Sequence, residues 1–239
     1  MEEVIVILSG GLAKRLRPLT ETIPKCMLVF INKPFIQYQI ELLVSRGFKN
    51  ILICAGYLGD QIKEFIGDGS RLKANVSYSF DGDKLLGTGG AILKAKYELS
   101  DVFFVLYGDS YLTINYKNIL KFFYKNNLIG LMTVFKNNNL YDKSNTIFKN
   151  DIVTLYDKRN ITPEMSYIDY GLSILKKDAL SLIKTEDGYY DLADLLNILS
   201  KKNQLLGFEI KKRFFEIGSI KGIEDFNNYL KRKNVKKDL

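Results

Sequence analysis

A short apolar run at residues 4–8 (VIVIL) is followed at once by the loop SGGLAKRLRPLTETIPKCM. A continuous apolar run of this length is typical of a strand buried on both faces of a parallel sheet, and ligands of such sheets bind just beyond the carboxyl ends of the strands. Gly10 and Gly11 allow the backbone to approach a ligand closely, so that their N–H groups can point at anionic oxygens. Four basic side chains add permanent positive charge to the loop: Lys14, Arg15, Arg17 and Lys25. The segment therefore predicts a site for a nucleoside triphosphate.

The order of apolar and amphipathic segments favours an α/β protein. After the first strand, apolar runs at 50–55 and 102–107 and an alternating segment at 76–80 predict further strands, with helical patterns between them. Pro34 is predicted to open the first helix, Gly47 to end it and Asp60 to cap the next one. Strands that alternate with helices indicate parallel βαβ units wound on one sheet. In the second half the patterns predict strands at 129–135, 145–156, 167–175 and 205–217, and helices near 177–184, 191–201 and 220–232.

The residue types present limit the chemistry that this chain can perform. Its 239 residues include no histidine, which excludes Ser-His, Cys-His and histidine–zinc chemistry. Its two cysteines, Cys26 and Cys54, lack the spacing of metal ligands. The glycines fit neither the P-loop pattern G-x-x-x-x-G-K-[ST] nor the dinucleotide pattern G-x-G-x-x-G. Catalysis must therefore use carboxylates, cations and a metal.

The net charge of +8 arises from 35 basic and 27 acidic residues. Much of the excess lies near the end of the chain, at Lys231, Arg232, Lys233, Lys236 and Lys237. A solvated tail is favoured over a nucleic-acid site there, because no aromatic residues are interleaved with a basic stripe. Neither a signal peptide nor an apolar run of membrane length is found. We therefore expect a cytoplasmic protein that binds neither nucleic acid nor membrane.

The first loop resembles the signature of nucleotidylyltransferases that activate sugar 1-phosphates and related phosphorylated metabolites, G-G-x-G-x-R-L-x-P-L-T followed by P-K. Ala13 replaces a glycine of that signature, and its methyl group could crowd the triphosphate or disfavour a positive φ. The resemblance implies a three-layer α/β/α Rossmann-like nucleotide-diphospho-sugar transferase fold with a mixed, mostly parallel central sheet. It also implies a minimal, single domain over residues 1–239. Within it, residues 1–115 would bind the nucleotide, residues 116–219 would bind the acceptor, and residues 220–239 would form a C-terminal helix and basic tail.

In the resembling enzymes, two glycine-rich segments hold the nucleotide. The second one here, LGTGGA at 86–91, follows the third predicted strand, and by itself it would be an ordinary strand-to-helix turn capped by Thr88. The resemblance implies nucleotide contacts from Leu8, Gly10, Gly11, Gly87, Thr88 and Gly89. It also implies catalytic roles for Arg15 at the departing phosphates and for Lys25 at the α-phosphate.

Two carboxylates are candidates for binding Mg²⁺. Asp109 follows the fourth predicted strand, where its side chain would face the ligand crevice, although an Asx-type turn with Gly108 and Ser110 would explain it equally. The family's second metal carboxylate precedes I-G-[ST], which gives Glu216 that position in place of an aspartate. Because glutamate is one methylene longer, Glu216 is expected to bind the metal directly or through water.

The acceptor side is predicted from the segments YDK and YIDYG. The resemblance implies an acceptor site formed by Asp157, Lys158, Asp169 and Gly171. The lysine would bind the acceptor phosphate, and the two carboxylates could accept hydrogen bonds from acceptor hydroxyls or amines. Both segments also alternate like ordinary strands, in which their aromatic residues would simply pack.

These features predict a Mg²⁺-dependent enzyme that transfers a nucleoside monophosphate from a nucleoside triphosphate to a phosphorylated small molecule and releases pyrophosphate, for surface or capsular polysaccharide precursors. RPLTETIPK and QYQIELL look more like cytidylyltransferases that act on phosphocholine or phosphoglutamine, which is the narrower prediction. LLGTGGAI and YIDYGLSIL look like the heptose and muramate branch, so a sugar-1-phosphate guanylyl- or uridylyltransferase is the alternative. An inactive regulatory subunit that binds sugar nucleotides is an alternative of another class. The sequence leaves homodimer formation open.

Overall fold

A computed structural model of the chain describes residues 3–235. Within that range the strands are β1 (Val4–Ser9), β2 (Val29–Phe30), β3 (Lys33–Pro34), β4 (Asn50–Ala55), β5 (Asn75–Phe80), β6 (Val102–Tyr107), β7 (Ser110–Tyr111), β8 (Gly130–Lys136), β9 (Thr146–Lys149), β10 (Ile152–Tyr156), β11 (Tyr167–Lys176), β12 (Leu205–Glu209) and β13 (Phe215–Glu216). The α-helices are α1 (Phe35–Ser45), α2 (Gly59–Ile66), α3 (Gly87–Lys94), α4 (Tyr116–Tyr124), α5 (Leu192–Lys201) and α6 (Ile220–Val235). Lys236 and Lys237 of the predicted basic tail lie outside the described residues.

Nine of the described strands form one sheet, in the order β5-β4-β1-β6-β11-β8-β12-β10-β9. The pairs among β5, β4, β1 and β6 are parallel, as is the pair β8–β12. Only β11 and β10 run against the common direction, so seven of these nine strands point the same way. The predicted mixed, mostly parallel sheet is confirmed.

Residues along each central strand alternate between the two faces of the sheet. Ile5 and Ile7 of β1 pack with α1, α2 and α4, whereas Val6 packs with α3 and α5. All three side chains are fully buried, and burying each contributes roughly 1.5–3 kcal/mol. Helices on both faces complete the predicted three-layer α/β/α arrangement.

A third apolar cluster fixes the C-terminal helix against the edge of the site. Phe226 of α6 lies 4.9 Å from the Phe35 ring and 5.0 Å from the Tyr111 ring, measured between centroids. Tyr111 belongs to β7, which pairs with β13 in a separate two-stranded sheet. The cluster therefore holds β13 beside the residues that follow β6.

Several element boundaries differ from the sequence-based predictions. Pro34 directly precedes α1, and Gly47 ends it with φ +89° as predicted. Leu58, not Asp60, occupies the cap position of α2, and Asp60 lies in the first turn, where its charge favours the helix dipole. Residues 205–217 form two strands instead of one, because the chain leaves the main sheet after Glu209 and then pairs with β7. Residues 177–182 form a 3₁₀ helix.

The helix α4 was not predicted. The Asn115 side chain caps it by accepting a 3.1 Å hydrogen bond from the Asn118 N–H. Within residues 3–235, none of the helices has both the length and the apolar character required to cross a bilayer.

Candidate active site

Two adjoining cavities open beyond the carboxyl ends of β1 and β6. The first has a volume of about 360 Å³ and is lined by Leu8, Gly10, Gly11, Gly87 and Thr88, together with Lys25 and Asp109. The second has a volume of about 500 Å³ and is lined by Arg15, Lys158, Asp169 and Glu216. Tyr107 and Asp109 line both cavities and so mark the place where they meet. This is the position that open α/β sheets use for ligands.

The glycines of the two loops serve different purposes. A Cβ added to Gly11 would meet nothing within 4 Å, so this loop position is open towards the cavity. A Cβ on Gly89 would lie 2.8 Å from the Tyr190 ring, and the Gly89 N–H donates a 2.8 Å hydrogen bond to the Tyr190 carbonyl. Gly89 therefore packs against the segment before α5 and does not line the first cavity. Thr88 does line it, but Leu86 occupies the cap position of α3, and the Thr88 hydroxyl instead donates to Asp191 and accepts from the N–H of Leu192, the first residue of α5.

Ala13 adopts the left-handed conformation, with φ 46° and ψ 40°. Its carbonyl accepts hydrogen bonds from the Leu16 N–H and the Thr20 hydroxyl, each 3.0 Å long. The surrounding loop therefore imposes a conformation that glycine adopts more readily than alanine.

Replacing Ala13 with glycine is expected to stabilise the fold by up to about 1 kcal/mol, because the left-handed alanine costs about 1–2 kcal/mol and the entropy of glycine roughly 0.5–1 kcal/mol. The free energy of unfolding in denaturant measures this difference. The same exchange at Ala193, in the first turn of α5, should instead destabilise the protein. If Ala13→Gly lowered the stability as Ala193→Gly does, the left-handed strain would be refuted.

Lys25 and Asp109 form an ion pair at the junction of the cavities. The Lys25 Nζ lies 2.6 Å from the Asp109 Oδ2, and about a quarter of each side chain is exposed. Lys25 belongs to a 3₁₀ turn that follows Pro24, whereas Asp109 follows β6. The pair thus connects the first loop to the centre of the sheet and leaves both charges accessible to a ligand.

Glu216 lies next to Asp109 because β13 pairs with β7 in the register Glu216–Ser110. The Ile217 N–H donates a 3.0 Å hydrogen bond to the Asp109 carbonyl. The carboxylate of Glu216 accepts hydrogen bonds from the Gly218 N–H and, at 2.6 Å, from the Ser219 hydroxyl. Ser219 also accepts from the Gly222 N–H, so this carboxylate lies at the N-terminus of α6. The helix dipole favours negative charge there.

Three charged side chains converge on one point in front of Gly218. A Cβ added to Gly218 would lie 2.8 Å from Glu216 Oε2, 3.2 Å from Asp109 Oδ2 and 3.2 Å from Arg15 Nη2. Among the described residues, no three Asp, Glu or Cys side chains cluster as a complete metal site. Mg²⁺ commonly uses one or two carboxylates and takes its other ligands from water and substrate phosphates. Asp109 and Glu216 fit that requirement.

The second cavity surrounds a lysine with aromatic rings. The Lys158 Nζ lies 5.5 Å from the centroid of the Tyr107 ring and 5.8 Å from that of Tyr156, within the range of cation–π attraction. The Tyr107 hydroxyl donates a 3.1 Å hydrogen bond to Asp169, which also accepts from the Gly171 N–H at 2.8 Å. Burial raises the pKa of Asp169, while the Lys158 ammonium acts in the opposite direction. These contacts limit where the ammonium can move.

The structure does not bring every predicted residue to these cavities. The Asp157 carboxylate accepts hydrogen bonds from the Arg159 and Asn160 N–H groups and lines a separate, smaller cavity of about 250 Å³. Gly171 supports Asp169 from behind, at φ +102°. Arg15 lines the second cavity and not the first.

The two cysteines line the first cavity as protonated thiols. Burial raises the pKa of each thiol, Cys26 and Cys54, to about 12. Because the thiolate is the nucleophilic form, neither cysteine is suited to covalent catalysis at neutral pH.

Sequence reasoning missed Asp81 and Tyr107, which both line the first cavity. Tyr107 is the last residue of β6, and Asp81 directly follows β5. The rule that placed Asp109, that polar residues at the carboxyl end of parallel strands face the ligand, would have found both.

The family model described as Nucleotidyl transferase matches residues 4–233. The UTP–glucose-1-phosphate uridylyltransferase of Synechocystis sp. is 27% identical over 200 residues, which cover 77% of this chain and 52% of that protein. The D-glycero-alpha-D-manno-heptose 1-phosphate guanylyltransferase of Campylobacter jejuni is 29% identical over 175 residues, or 72% of this chain and 76% of that protein. The chain spans about half the length of several curated relatives that it matches.

Solved structures share the fold. The crystal structure of HddC from Yersinia pseudotuberculosis superposes with a TM-score of 0.81 at 23% identity, covering 96% of this chain and 100% of that one. A putative glucose-1-phosphate thymidylyltransferase from Bacillus anthracis gives a TM-score of 0.83 at 19% identity, covering 94% of each chain.

Proposed function

Because this chain belongs to the nucleotidyl transferase family, we propose that it transfers a nucleoside monophosphate from a nucleoside triphosphate to a phosphorylated small molecule. The observation that carries the proposal is the meeting of two cavities at Tyr107 and Asp109, with Lys25 on one side and Lys158 on the other. A donor and an acceptor can therefore lie end to end across one cationic junction.

The proposed reaction requires that negative charge be stabilised, and it needs no proton transfer to a protein side chain. An oxygen of the acceptor phosphate attacks the α-phosphorus of the triphosphate, the bond from the α-phosphorus to the bridging oxygen breaks, and pyrophosphate leaves with that electron pair. The acceptor phosphate is largely deprotonated at neutral pH, since its second pKa is about 6. No general base is needed, which agrees with a chain that contains no histidine.

The basic side chains of the junction bring two anions together. Lys25 stabilises the charge that develops at the α-phosphate, and Lys158 orients the acceptor phosphate. Arg15 is placed to contact phosphate oxygens from the second cavity. A bound Mg²⁺, held by Asp109 and Glu216, would neutralise phosphate charge as a Lewis acid.

We propose a sugar 1-phosphate as the acceptor, because the relatives described above are named for reactions of sugar 1-phosphates. The narrower predictions from the sequence, CTP as donor and phosphocholine or phosphoglutamine as acceptor, enter the same test as alternatives. A role in surface polysaccharide synthesis, a cytoplasmic location and homodimer formation are further predictions from the sequence.

Pyrophosphate release tests this proposal. The full chain is incubated with Mg²⁺, each nucleoside triphosphate in turn and a panel of sugar 1-phosphates, phosphocholine and phosphoglutamine. Release that depends on the acceptor is the expected result. If the protein binds a triphosphate but releases no pyrophosphate with any acceptor, the inactive regulatory subunit is the better description.

Replacing Lys158 with methionine is expected to raise the KM for the acceptor by roughly 10-fold or more, since a hydrogen bond to a charged group is worth about 1.5–3 kcal/mol. Binding of the triphosphate should change little, because Lys158 does not line the first cavity. The two effects are measured by steady-state kinetics and by calorimetry.

The neighbouring residue provides a matched control. Arg159 lines neither of the two cavities and pairs with Asp194 at 2.8 Å. Arg159→Met should therefore leave the acceptor KM unchanged. If Lys158→Met and Arg159→Met behaved alike, the acceptor role of Lys158 would be wrong.

A further inference from the structure

Asp81 is a buried carboxylate in the wall of the first cavity. It follows β5 directly, and only 8% of the residue is exposed. Its Oδ2 accepts a 3.2 Å hydrogen bond from the Leu86 N–H and would lie 2.9 Å from a Cβ at Gly56. Backbone on two sides therefore fixes the orientation of the side chain.

The described surroundings balance the charge of this carboxylate only in part. None of the described lysines or arginines forms an ion pair with it, and the nearby Lys94 ammonium donates instead to the Asp81 backbone carbonyl, at 3.1 Å. No described group donates a hydrogen bond to Oδ1. Burial raises the pKa of Asp81 more than the Leu86 N–H and the Lys94 ammonium lower it. Oδ1 is not among the described fully buried polar atoms that lack a partner, so it is accessible from the cavity that Asp81 lines, where a ligand can supply donors.

The sheet sets the distance between Asp81 and the phosphate end of the cavity. Asp81 follows β5 and Asp109 follows β6, and the strand order β5-β4-β1-β6 places three strand spacings between them. At about 4.8 Å per spacing, the ends of β5 and β6 lie about 14 Å apart along the edge of the sheet. The Asp81 side chain leans over the end of β4, so that its Oδ2 would lie 3.2 Å from a Cβ at Gly10, which follows β1. Asp81 lines the same cavity as Lys25 and Asp109, so a nucleotide with its phosphates at those two residues can extend its base towards Asp81.

On the basis of the proposed function, we propose that Asp81 reads the nucleobase and selects guanine, so that GTP is the preferred donor. Guanine presents the N1–H and the N2 amino group side by side, which match the two acceptor oxygens of a carboxylate. Oδ2 already accepts a hydrogen bond from the Leu86 N–H, and its second lone pair is available to the base. This assignment concerns the base alone and is independent of the identity of the acceptor.

Each of the other bases would place a hydrogen-bond acceptor opposite the carboxylate of Asp81. Cytosine and adenine carry an unprotonated ring nitrogen beside the amino group, and uracil flanks its one N–H with two carbonyl oxygens. Each would leave a lone pair facing Asp81 in a buried site, where unpaired polar groups are rejected strongly. Selection thus arises from repulsion of the wrong bases as well as attraction of the right one.

Calorimetric titration of the full chain with Mg²⁺ and GTP, ITP, UTP, CTP or ATP tests this inference without an acceptor. We expect GTP to bind roughly 10- to 100-fold more tightly than the pyrimidine triphosphates, as for other two-point base contacts. ITP, which lacks only the N2 amino group, should bind more weakly than GTP. This comparison requires no mutant and so does not depend on how a variant folds.

The isosteric variant Asp81→Asn should reduce the preference for GTP over UTP and CTP and abolish the difference between GTP and ITP. An amide can pair with the mixed donor and acceptor edges of the other bases, so their binding is expected to improve. Asp83→Asn is the matched control, because Asp83 lies exposed on the same loop and does not line the cavity. A purely structural role for Asp81 would weaken all triphosphates together.

The outcomes separate this inference from the proposed function. If UTP or CTP binds as tightly as GTP, or if Asp81→Asn keeps the wild-type ratios, guanine selection by Asp81 is refuted, while pyrophosphate release can still establish the transfer reaction. If no triphosphate binds at all, both the base assignment and the proposed function are overturned.

Discussion

Lys25→Met is expected to lower kcat by roughly 10²- to 10³-fold, the cost of removing one preorganised electrostatic donor from a transition state. Lys25 lies 2.6 Å from Asp109 at the junction of the two cavities, where two anionic substrates must meet. Methionine keeps the length of the side chain and removes the charge. Because the ion pair is partly exposed, its loss should change the stability by no more than about 1 kcal/mol. Single-turnover kinetics and thermal unfolding measure the two effects separately.

Lys33 offers a control for this variant. It forms an ion pair with Glu41 at the same 2.6 Å and with similar exposure, but it lines neither cavity. Lys33→Met should therefore match Lys25→Met in stability and retain wild-type turnover. If both variants kept full activity, Lys25 would have no part in catalysis. If both lost kcat, the cause would be a general effect of removing a positive charge.

The central strands of the first half could be predicted because they are buried on both faces. The runs at 50–55 and 102–107 are β4 and β6 with the predicted bounds, since continuous apolar segments leave few alternatives. The helix α4 was missed although its buried residues, Tyr116, Ile119 and Phe123, recur at helical spacing. Phe123 is fully buried there, whereas 57% of Tyr124 is exposed.

The site was predicted to the extent that it depends on local sequence. Lys25 and Asp109 line the first cavity and Arg15 lines the second, whereas Lys14 and Arg17 of the same loop line neither. Their catalytic roles remain predictions. The position of Glu216 depends on the pairing of β13 with β7, a contact between segments more than 100 residues apart, so only the resemblance indicated it. Asp157 shows the converse: its carboxylate is taken up by a local turn with Arg159 and Asn160, an Asx-type contact that sequence alone could have suggested.

Gly222→Ala should impair catalysis although it alters no charged group. In most helices this exchange is stabilising, since alanine has the better helix propensity by about 1 kcal/mol. Here a Cβ at residue 222 would overlap the Oε1 and carbonyl oxygens of Glu216 and lie 2.7 Å from its Cδ. Such overpacking costs about 1–3 kcal/mol and would displace the carboxylate. A displacement of about 1 Å can lower turnover by about 10²-fold.

The Mg²⁺ concentration that gives half-maximal activity distinguishes this displacement from a general loss of stability. If Glu216 holds the metal, Gly222→Ala and Glu216→Gln should both raise that concentration, because the first displaces the carboxylate and the second removes its charge. Glu224→Ala, at an exposed position of the same helix, should leave it unchanged. If Gly222→Ala were less stable but kept a wild-type metal requirement, Glu216 would serve α6 as an N-terminal anchor and not the metal. The second carboxylate would then have to be sought among the other acidic residues that line the second cavity, Asp142, Asp169 and Asp225.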